Sequence, residues 1–172
     1  MKKKAIHKKT PVILIAAIQS DRGLGFNNDL LYSISEDMRH FTSLTKGHTV
    51  IMGRKTWESI PEKYRPLPER NNIVVTRNTN YQASGVKVVN RFYKALEEAG
   101  VDRKIYIIGG GEIYKQALSY ADTLELTIIH GSKKADAFFP EYEQNFSKEG
   151  HSENYVDPET NTSYRFETWI KK

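Results

Sequence analysis

Ile105-Tyr106-Ile107-Ile108-Gly109-Gly110-Gly111-Glu112-Ile113-Tyr114 reads as a strand that runs into three glycines and turns directly into a helix. Its continuous apolar run is the mark of a strand covered on both faces, as in parallel sheets. Three glycines remove every Cβ where the backbone leaves the sheet. N–H groups can then approach a pyrophosphate, and the following helix dipole favours the negative charge. A tight turn needing positive φ reads the same way, and the glycines alone leave both readings open.

A second junction of this kind lies upstream. In Val50-Ile51-Met52-Gly53-Arg54-Lys55-Thr56-Trp57 a glycine, two cations and a hydroxyl meet a helix start, which favours phosphate binding. Thr76-Arg77 ends another strand with a third set of donors. Strand ends that offer such donors at three places suggest an extended ligand with several phosphates, such as a dinucleotide. The glycine fingerprint of the usual dinucleotide fold fails, because Gly23-Leu24-Gly25 runs into Phe26-Asn27-Asn28 rather than into a helix.

Around these junctions the chain alternates strands and helices. Strands are expected over Val12–Ile18, His48–Met52, Asn72–Thr76, Val86–Val89, Lys104–Ile108 and Thr123–His130. Two more, near His151–Val156 and Ser163–Ile170, flank the turn-forming Asp157-Pro158-Glu159-Thr160-Asn161. Helices are expected over Ser35–Leu44 with Ser35 as N-cap, Thr56–Ile60 before Pro61, Arg91–Ala99 stopped by Gly100, and Glu112–Tyr120. The pattern predicts a single α/β domain: a central, mostly parallel eight-stranded sheet with an antiparallel C-terminal edge and about four flanking helices. Ligands of such sheets sit at the C-terminal ends of the strands.

The chain has 172 residues, 38% hydrophobic and 27% charged, an ordinary globular balance with length for one core. Its net charge of +5 is unevenly placed. Residues 1–10 carry five lysines and no acid, so the remaining 21 basic residues are matched by 21 acidic ones and residues 11–172 are formally neutral. That balance argues against a nucleic-acid-binding body, and residues 1–10 read as a basic disordered tail. The tail followed by Val12–Ile18 imitates a signal peptide, but the apolar run is short and Gln19-Ser20-Asp21-Arg22 offers no cleavage site, so a buried strand is expected. Absence of cysteine excludes disulfides and thiolate chemistry and fits a cytoplasmic protein. No stretch approaches the length of a membrane span.

One acid stands out. On a helix, Ile34, Asp37, Met38 and Phe41 share a face, which places a carboxylate on an apolar stripe where desolvation raises its pKa. Acids in a first helical turn are commonly solvated, and spacing alone favours that reading. Scarcity tilts the balance: no metal-ligand cluster and no nucleophile motif is present. Cofactor cradles with one candidate acid fit chemistry supplied by a cofactor, with protein groups that orient and polarise. The loop Arg65-Pro66-Leu67-Pro68-Glu69-Arg70 either exposes solvated arginines or holds a cation at a cleft rim for an acidic substrate tail.

From about Val12 to Ile170 the chain resembles the dihydrofolate reductases of bacterial chromosomal type. The matching residues are Leu14-Ile15-Ala16-Ala17, Asp21-Arg22 with Leu24-Gly25, Val50 through Ile60, Pro66-Leu67-Pro68 before Arg70-Asn71-Asn72-Ile73, Ile108 through Tyr114, and Phe139-Pro140. The resemblance implies a dihydrofolate reductase-like domain over residues 11–172 that reduces 7,8-dihydrofolate to tetrahydrofolate with NADPH. Hydride would pass from nicotinamide C4 to pterin C6, with N5 protonated from solvent.

It implies that Asp37 binds the 2-amino and N3 edge of the pterin as a bidentate, charge-assisted pair, braced by Thr127, with Tyr32 completing the catalytic set. Ile15, Ala17, Met38, Phe41, Ile60 and Ile108 would wall the substrate rings, and Arg70 would meet the substrate α-carboxylate. Tyr114 would lie beside the nicotinamide, with Ala17 and Leu24 on the same side. Gly53, Arg54, Lys55, Thr56, Thr76 and Arg77 would surround the phosphates, and Gly109, Gly110, Gly111, Glu112 and Ile113 the pyrophosphate. A monomer without membrane or nucleic-acid partners is expected.

Three departures from the family pattern stand out. Leu31-Tyr32 replaces a usual Pro-Trp, Ala135 replaces a glycine before Asp136, and Asn90 replaces a lysine near the adenosine phosphate. The rivals are a pyrimidine reductase of riboflavin synthesis and a non-catalytic nucleotide-binding module. Thr56-Trp57-Glu58-Ser59 with Asp37 on an apolar face speaks against the first, and the neutral body against the second.

Overall fold

The computed structural model describes residues 9–101 and 103–172. Most of the basic tail expected over residues 1–10 lies outside the described residues. In chain order the first half forms β1 (Val12–Gln19), β2 (Gly23–Phe26), β3 (Asp29–Leu30), α1 (Ser35–Thr45), β4 (Thr49–Gly53), α2 (Arg54–Ser59), β5 (Asn71–Val75) and β6 (Lys87–Val89). The second half forms α3 (Phe92–Ala99), β7 (Ile105–Gly109), α4 (Gly111–Ala117), β8 (Thr123–His130), β9 (Ala137–Phe138), β10 (Phe146–His151), β11 (Tyr155–Val156) and β12 (Ser163–Lys171).

The main sheet runs β10-β12-β8-β1-β7-β4-β5-β6, with β11 paired to β12. Strands from β8 to β6 are parallel to their neighbours, and β12 is antiparallel to both β8 and β10. The fold is therefore the mostly parallel α/β sheet with an antiparallel C-terminal edge that strand–helix alternation predicts. A small second sheet, β3-β2-β9, sits apart from it.

Strand alternation sorts the core onto two faces. Leu14, Ile51, Ile107, Leu124 and Leu126 pack with Phe92 and Ala95 of α3 and with Ile113 and Tyr114 of α4. Ile13, Ile15, Val50, Met52 and Val74 face the other way, against Trp57 of α2 and Phe41 and Leu44 of α1. Burial on both faces explains the unbroken Val/Ile runs. Leu14 is fully buried in the central strand. Leu14→Ala should lower unfolding free energy by about 2–5 kcal/mol, measured by urea titration.

Several boundaries differ from expectation. Ile34, not Ser35, is the residue before the first turn of α1, and it makes no side-chain cap; its side chain is instead buried against Ile129 and Tyr164. Packing of that anchor decides where the helix begins. Two helices start earlier than expected: α2 at Arg54 and α4 at Gly111, the latter passing into a 3-10 turn over Leu118–Tyr120. The strand expected at His151–Val156 is really two, β10 and β11. Only Phe146 of β10 is buried, so this edge strand carries almost no hydrophobic signal. β2, β3 and β9 are too short to show a period.

Candidate active site

A cleft of about 2290 Å³ opens at the C-terminal ends of the parallel strands. One drug-sized ligand commonly occupies roughly 300–1,000 Å³, so there is space for two molecules side by side.

At one end α1 presents Asp37. Its Oδ1 accepts a 2.5 Å hydrogen bond from Thr127 Oγ1. Thr127 is buried and stands opposite Ala17 in the β1/β8 register. Burial pushes the Asp37 carboxyl up from the ordinary aspartate range, opposed by the Thr127 bond and the charge of His40. The His40 imidazole, stacked on Phe166 with centroids 4.0 Å apart, is itself pushed down by burial, while Asp37 pulls it up. The stripe shared by Ile34, Asp37, Met38 and Phe41 thus has two destinations. Ile34 enters the core, while the other three line the cleft. Met38 is 50% exposed, an apolar surface left facing the opening.

Ile15, Ala17, Ile60 and Ile108 complete the apolar walls around that carboxylate. At the outer rim Arg70 is held from two sides: Nε donates to the Pro68 carbonyl at 2.9 Å and Nη1 to Thr45 Oγ1 at 3.1 Å. Its guanidinium carbon lies 5.8 Å from the Phe41 ring centroid. Burial lowers its pKa, Glu69 raises it, and the guanidinium stays charged.

The glycine junction forms the opposite wall. Gly109 has φ +134°, a conformation that L side chains rarely adopt, and a Cβ there would meet Thr56 Oγ1 at 3.2 Å. A Cβ on Gly111 would stand 2.9 Å from the Phe138 carbonyl oxygen of β9, and one on Gly53 would press on Ile113 Cγ1 at 3.0 Å. The absence of side chains at these three positions is what lets α2, α4, β7 and β9 meet. Both helices are short, six and seven residues, so the local N–H groups count for more than the helix dipole. Tyr114 is buried, and its hydroxyl donates to the Ile15 carbonyl at 2.6 Å. Burial drives that phenol far above its ordinary range, so it is protonated at any working pH.

Basic groups flank this wall. Arg54 pairs with Glu58 at 3.3 Å, whereas Arg77 is exposed and makes no ion pair among the described residues. Lys55, Thr56, Thr76, Glu112, Ile113 and Leu24 also line the cleft. Asn90 and Arg91, at the end of β6, join them. Sequence reading placed Asn90 near the adenosine phosphate by resemblance alone and took Arg91 for a helix start, although Asn90-Arg91 repeats the strand-end pattern of Thr76-Arg77. It also passed over Leu30, Asp136 and Phe138, which reach the cleft from the small sheet and its connections.

Every residue expected at the site lines this one cleft except Tyr32. The Tyr32 hydroxyl donates to Gln19 Oε1 at 2.9 Å, and the residue packs with Ile34, Ile129 and Tyr164 rather than lining the cleft, so the cleft geometry does not place it in the catalytic set. Among the described residues no cluster of His, Asp and Glu could hold a metal ion, and no helix is long and apolar enough to cross a membrane.

The comparisons with known proteins agree with this geometry. Residues 11–171 match the family model described as dihydrofolate reductase. Dihydrofolate reductase of Bacillus subtilis (strain 168) is 36% identical over 162 residues, covering 94% of this chain and 95% of the relative. That of Mycobacterium tuberculosis (strain ATCC 25618 / H37Rv) is 42% identical over 120 residues, covering 70% and 72%. A solved dihydrofolate reductase from Enterococcus faecalis, complexed with NADP(H) and RAB-propyl, superposes with a TM-score of 0.84 at 30% identity, covering 94% of this chain and 96% of that one. With cleft, fold and relatives in agreement over nearly its whole length, the chain belongs to the dihydrofolate reductase family.

Proposed function

We infer that this cleft carries out the family's reaction, NADPH-dependent reduction of 7,8-dihydrofolate to 5,6,7,8-tetrahydrofolate. The carrying observation is the half-buried Asp37 carboxylate, held at 2.5 Å by Thr127 in the same cleft as the glycine cradle. A carboxylate fixed in this way presents two acceptor atoms in one plane. The 2-amino and N3 edge of a pterin presents two matching donors, and a charge-assisted bidentate pair orients the ring. Apolar walls at Ile15, Phe41, Ile60 and Ile108 accept its flat faces and exclude water, while Arg70 answers the carboxylate of its tail.

The other wall fits the cofactor. Gly109, Gly110 and Gly111 bring bare backbone to the cleft, and Arg54, Thr56, Thr76 and Arg77 provide donors for phosphates. When bound, NADPH supplies the hydride. The protein holds the two ligands against each other, and that proximity supplies much of the acceleration. Asp37 holds and polarises the ring; solvent provides the proton. Every residue in this scheme comes from one chain, which supports a monomer as the acting unit. A cysteine-free chain suits the cytoplasm.

The direct test is dihydrofolate-dependent oxidation of NADPH by the purified protein, with NADH run in parallel. Loss of nicotinamide absorbance only when both substrates are present is expected; no dihydrofolate-dependent loss would refute the assignment. Exposed Arg77 is assigned to the phosphate that distinguishes NADPH from NADH. Arg77→Ala should weaken NADPH by about tenfold or more, the scale of one charge-assisted contact, and leave NADH nearly unchanged. Equal weakening of both would remove that assignment.

A further inference from the structure

We propose that Glu58, which does not itself line the cleft, engages Arg54 as a counter-charge and so sets how tightly the protein holds the phosphate that distinguishes NADPH from NADH. Glu58 is thus a positioning residue that acts through Arg54. The proposal rests on the reductase reading above, which gives Arg54 to a cofactor phosphate.

Lys55, Arg77 and Arg91 line the cleft without an ion pair among the described residues. Arg54 differs: its Nη1 donates to Glu58 Oε1 at 3.3 Å, four residues further along α2. Helix stability does not account for this pair. Its cation stands at the first residue of α2 and its acid in the last turn, the less favourable order for an i,i+4 contact. The two side chains are 40% and 43% exposed, so water competes for both charges and the pair holds loosely. A phosphate offers the guanidinium more charge and more acceptor atoms than a carboxylate does, so it can displace Glu58.

Tyr81 keeps the pair beside the turn that carries Arg77. Its ring centroid lies 5.9 Å from the Arg54 guanidinium carbon, and it packs on the core face that holds Trp57. Burial pushes its phenol up, Glu58 pushes it further through charge and a hydrogen bond, and Arg54 and Arg65 oppose them. The Tyr81 N–H donates to the Asn78 carbonyl at 3.1 Å, and the Asn78 N–H to Thr76 Oγ1 at 3.2 Å. One closed turn therefore brings Thr76, Arg77 and Asn78 to the cleft and Tyr81 to the pair. Arg54 thereby stands beside the strand end whose Arg77 is assigned that same phosphate. Glu58 cancels part of the charge Arg54 offers, so the phosphate is held less tightly and leaves sooner. An enzyme that exchanges oxidised for reduced cofactor at every turnover gains from that release.

The test uses the full chain with Glu58→Gln, Arg54→Gln and the double variant at about 0.15 M salt, where charges not in contact are largely screened. Glutamine keeps the length and an acceptor oxygen of Glu58 but not its charge. Fluorescence titration reads NADPH and NADH affinity, and stopped-flow displacement reads dissociation. Glu58→Gln should tighten NADPH by about twofold to fivefold, the scale of one exposed ion pair, mainly through slower dissociation. NADH should change less, and in the Arg54→Gln background the gain should vanish. Unchanged or weaker NADPH binding in Glu58→Gln would overturn the proposal. Equal tightening of NADH, or a full gain without Arg54, would overturn it as well. A wild type that binds NADPH but does not reduce dihydrofolate would overturn the reductase reading alone, since the titrations still read Glu58. A wild type that binds neither nucleotide would overturn both.

Discussion

Asp37→Asn is expected to abolish most turnover while leaving NADPH binding close to wild type. Asparagine keeps the size of the side chain and an oxygen for Thr127, but it lacks the charge and turns one acceptor into a donor facing the donor edge of the ring. Removing one partner of a desolvated charge pair costs roughly 2–5 kcal/mol, so kcat/KM for dihydrofolate should fall by about 100-fold or more. NADPH affinity, read by fluorescence titration, checks that the other half of the cleft is intact. Turnover within a factor of a few of wild type would remove Asp37 from the mechanism.

The same substitution has an opposite effect on the ligand-free fold. Burial raises the folded-state pKa of Asp37 above its unfolded value. A group of this kind costs nothing below the unfolded pKa, and its cost grows as pH rises through the folded one. Asp37→Asn should therefore melt at a higher temperature than wild type near pH 7, with the difference shrinking toward pH 4. A wild type that melts above the variant at neutral pH would show that the carboxylate is better compensated than its burial implies. Placing a charge where substrate needs it opposes the stability of the empty protein.

Gly109→Ala should have the second-largest effect. At φ +134° an alanine is strained by about 1–3 kcal/mol, and its Cβ would press on Thr56 Oγ1 at 3.2 Å while resting in ordinary contact with the Tyr114 hydroxyl at 3.6 Å. Those groups border the cofactor side, so NADPH affinity should fall by about tenfold to 100-fold along with the melting temperature. Gly47→Ala separates the two contributions. Gly47 has φ +80° with no atom within 4 Å of a built Cβ, so it carries backbone strain alone and should lose stability without losing NADPH. Wild-type NADPH affinity in Gly109→Ala would show that the junction is merely a turn.

Much of this was legible in the sequence wherever burial leaves a periodic trace. Strands covered on both faces, such as β1, β4 and β7, stand out as Val/Ile runs, and the glycines between β7 and α4 mark the place where backbone replaces side chain. Asp37 shares its helix face with apolar residues, but spacing alone favoured a solvated acid; the scarcity of other candidate groups is what singled it out. What escaped lies where no such trace exists. β10 buries only its first residue, and the small sheet depends on β2 pairing with β9 more than 100 residues away in the chain. The position of Tyr32 was illegible for a related reason. Its partner Gln19 lies 13 residues upstream. Spacing along a chain cannot announce such a meeting.

Tyr114 has a consequence of its own for how this protein can adapt. Its hydroxyl is fastened to the Ile15 carbonyl on the substrate side, and it also abuts Gly109 on the nucleotide side. A mutation at the Ile15 end that excludes a competing molecule is transmitted through this one side chain to the neighbouring wall, so natural substrate, competitor and cofactor are disturbed together. Rim positions such as Met38 and Leu30, half or more exposed, carry no such crosslink. Variation that discriminates between ligands should accumulate at the rim, while the wall around Tyr114 stays constant.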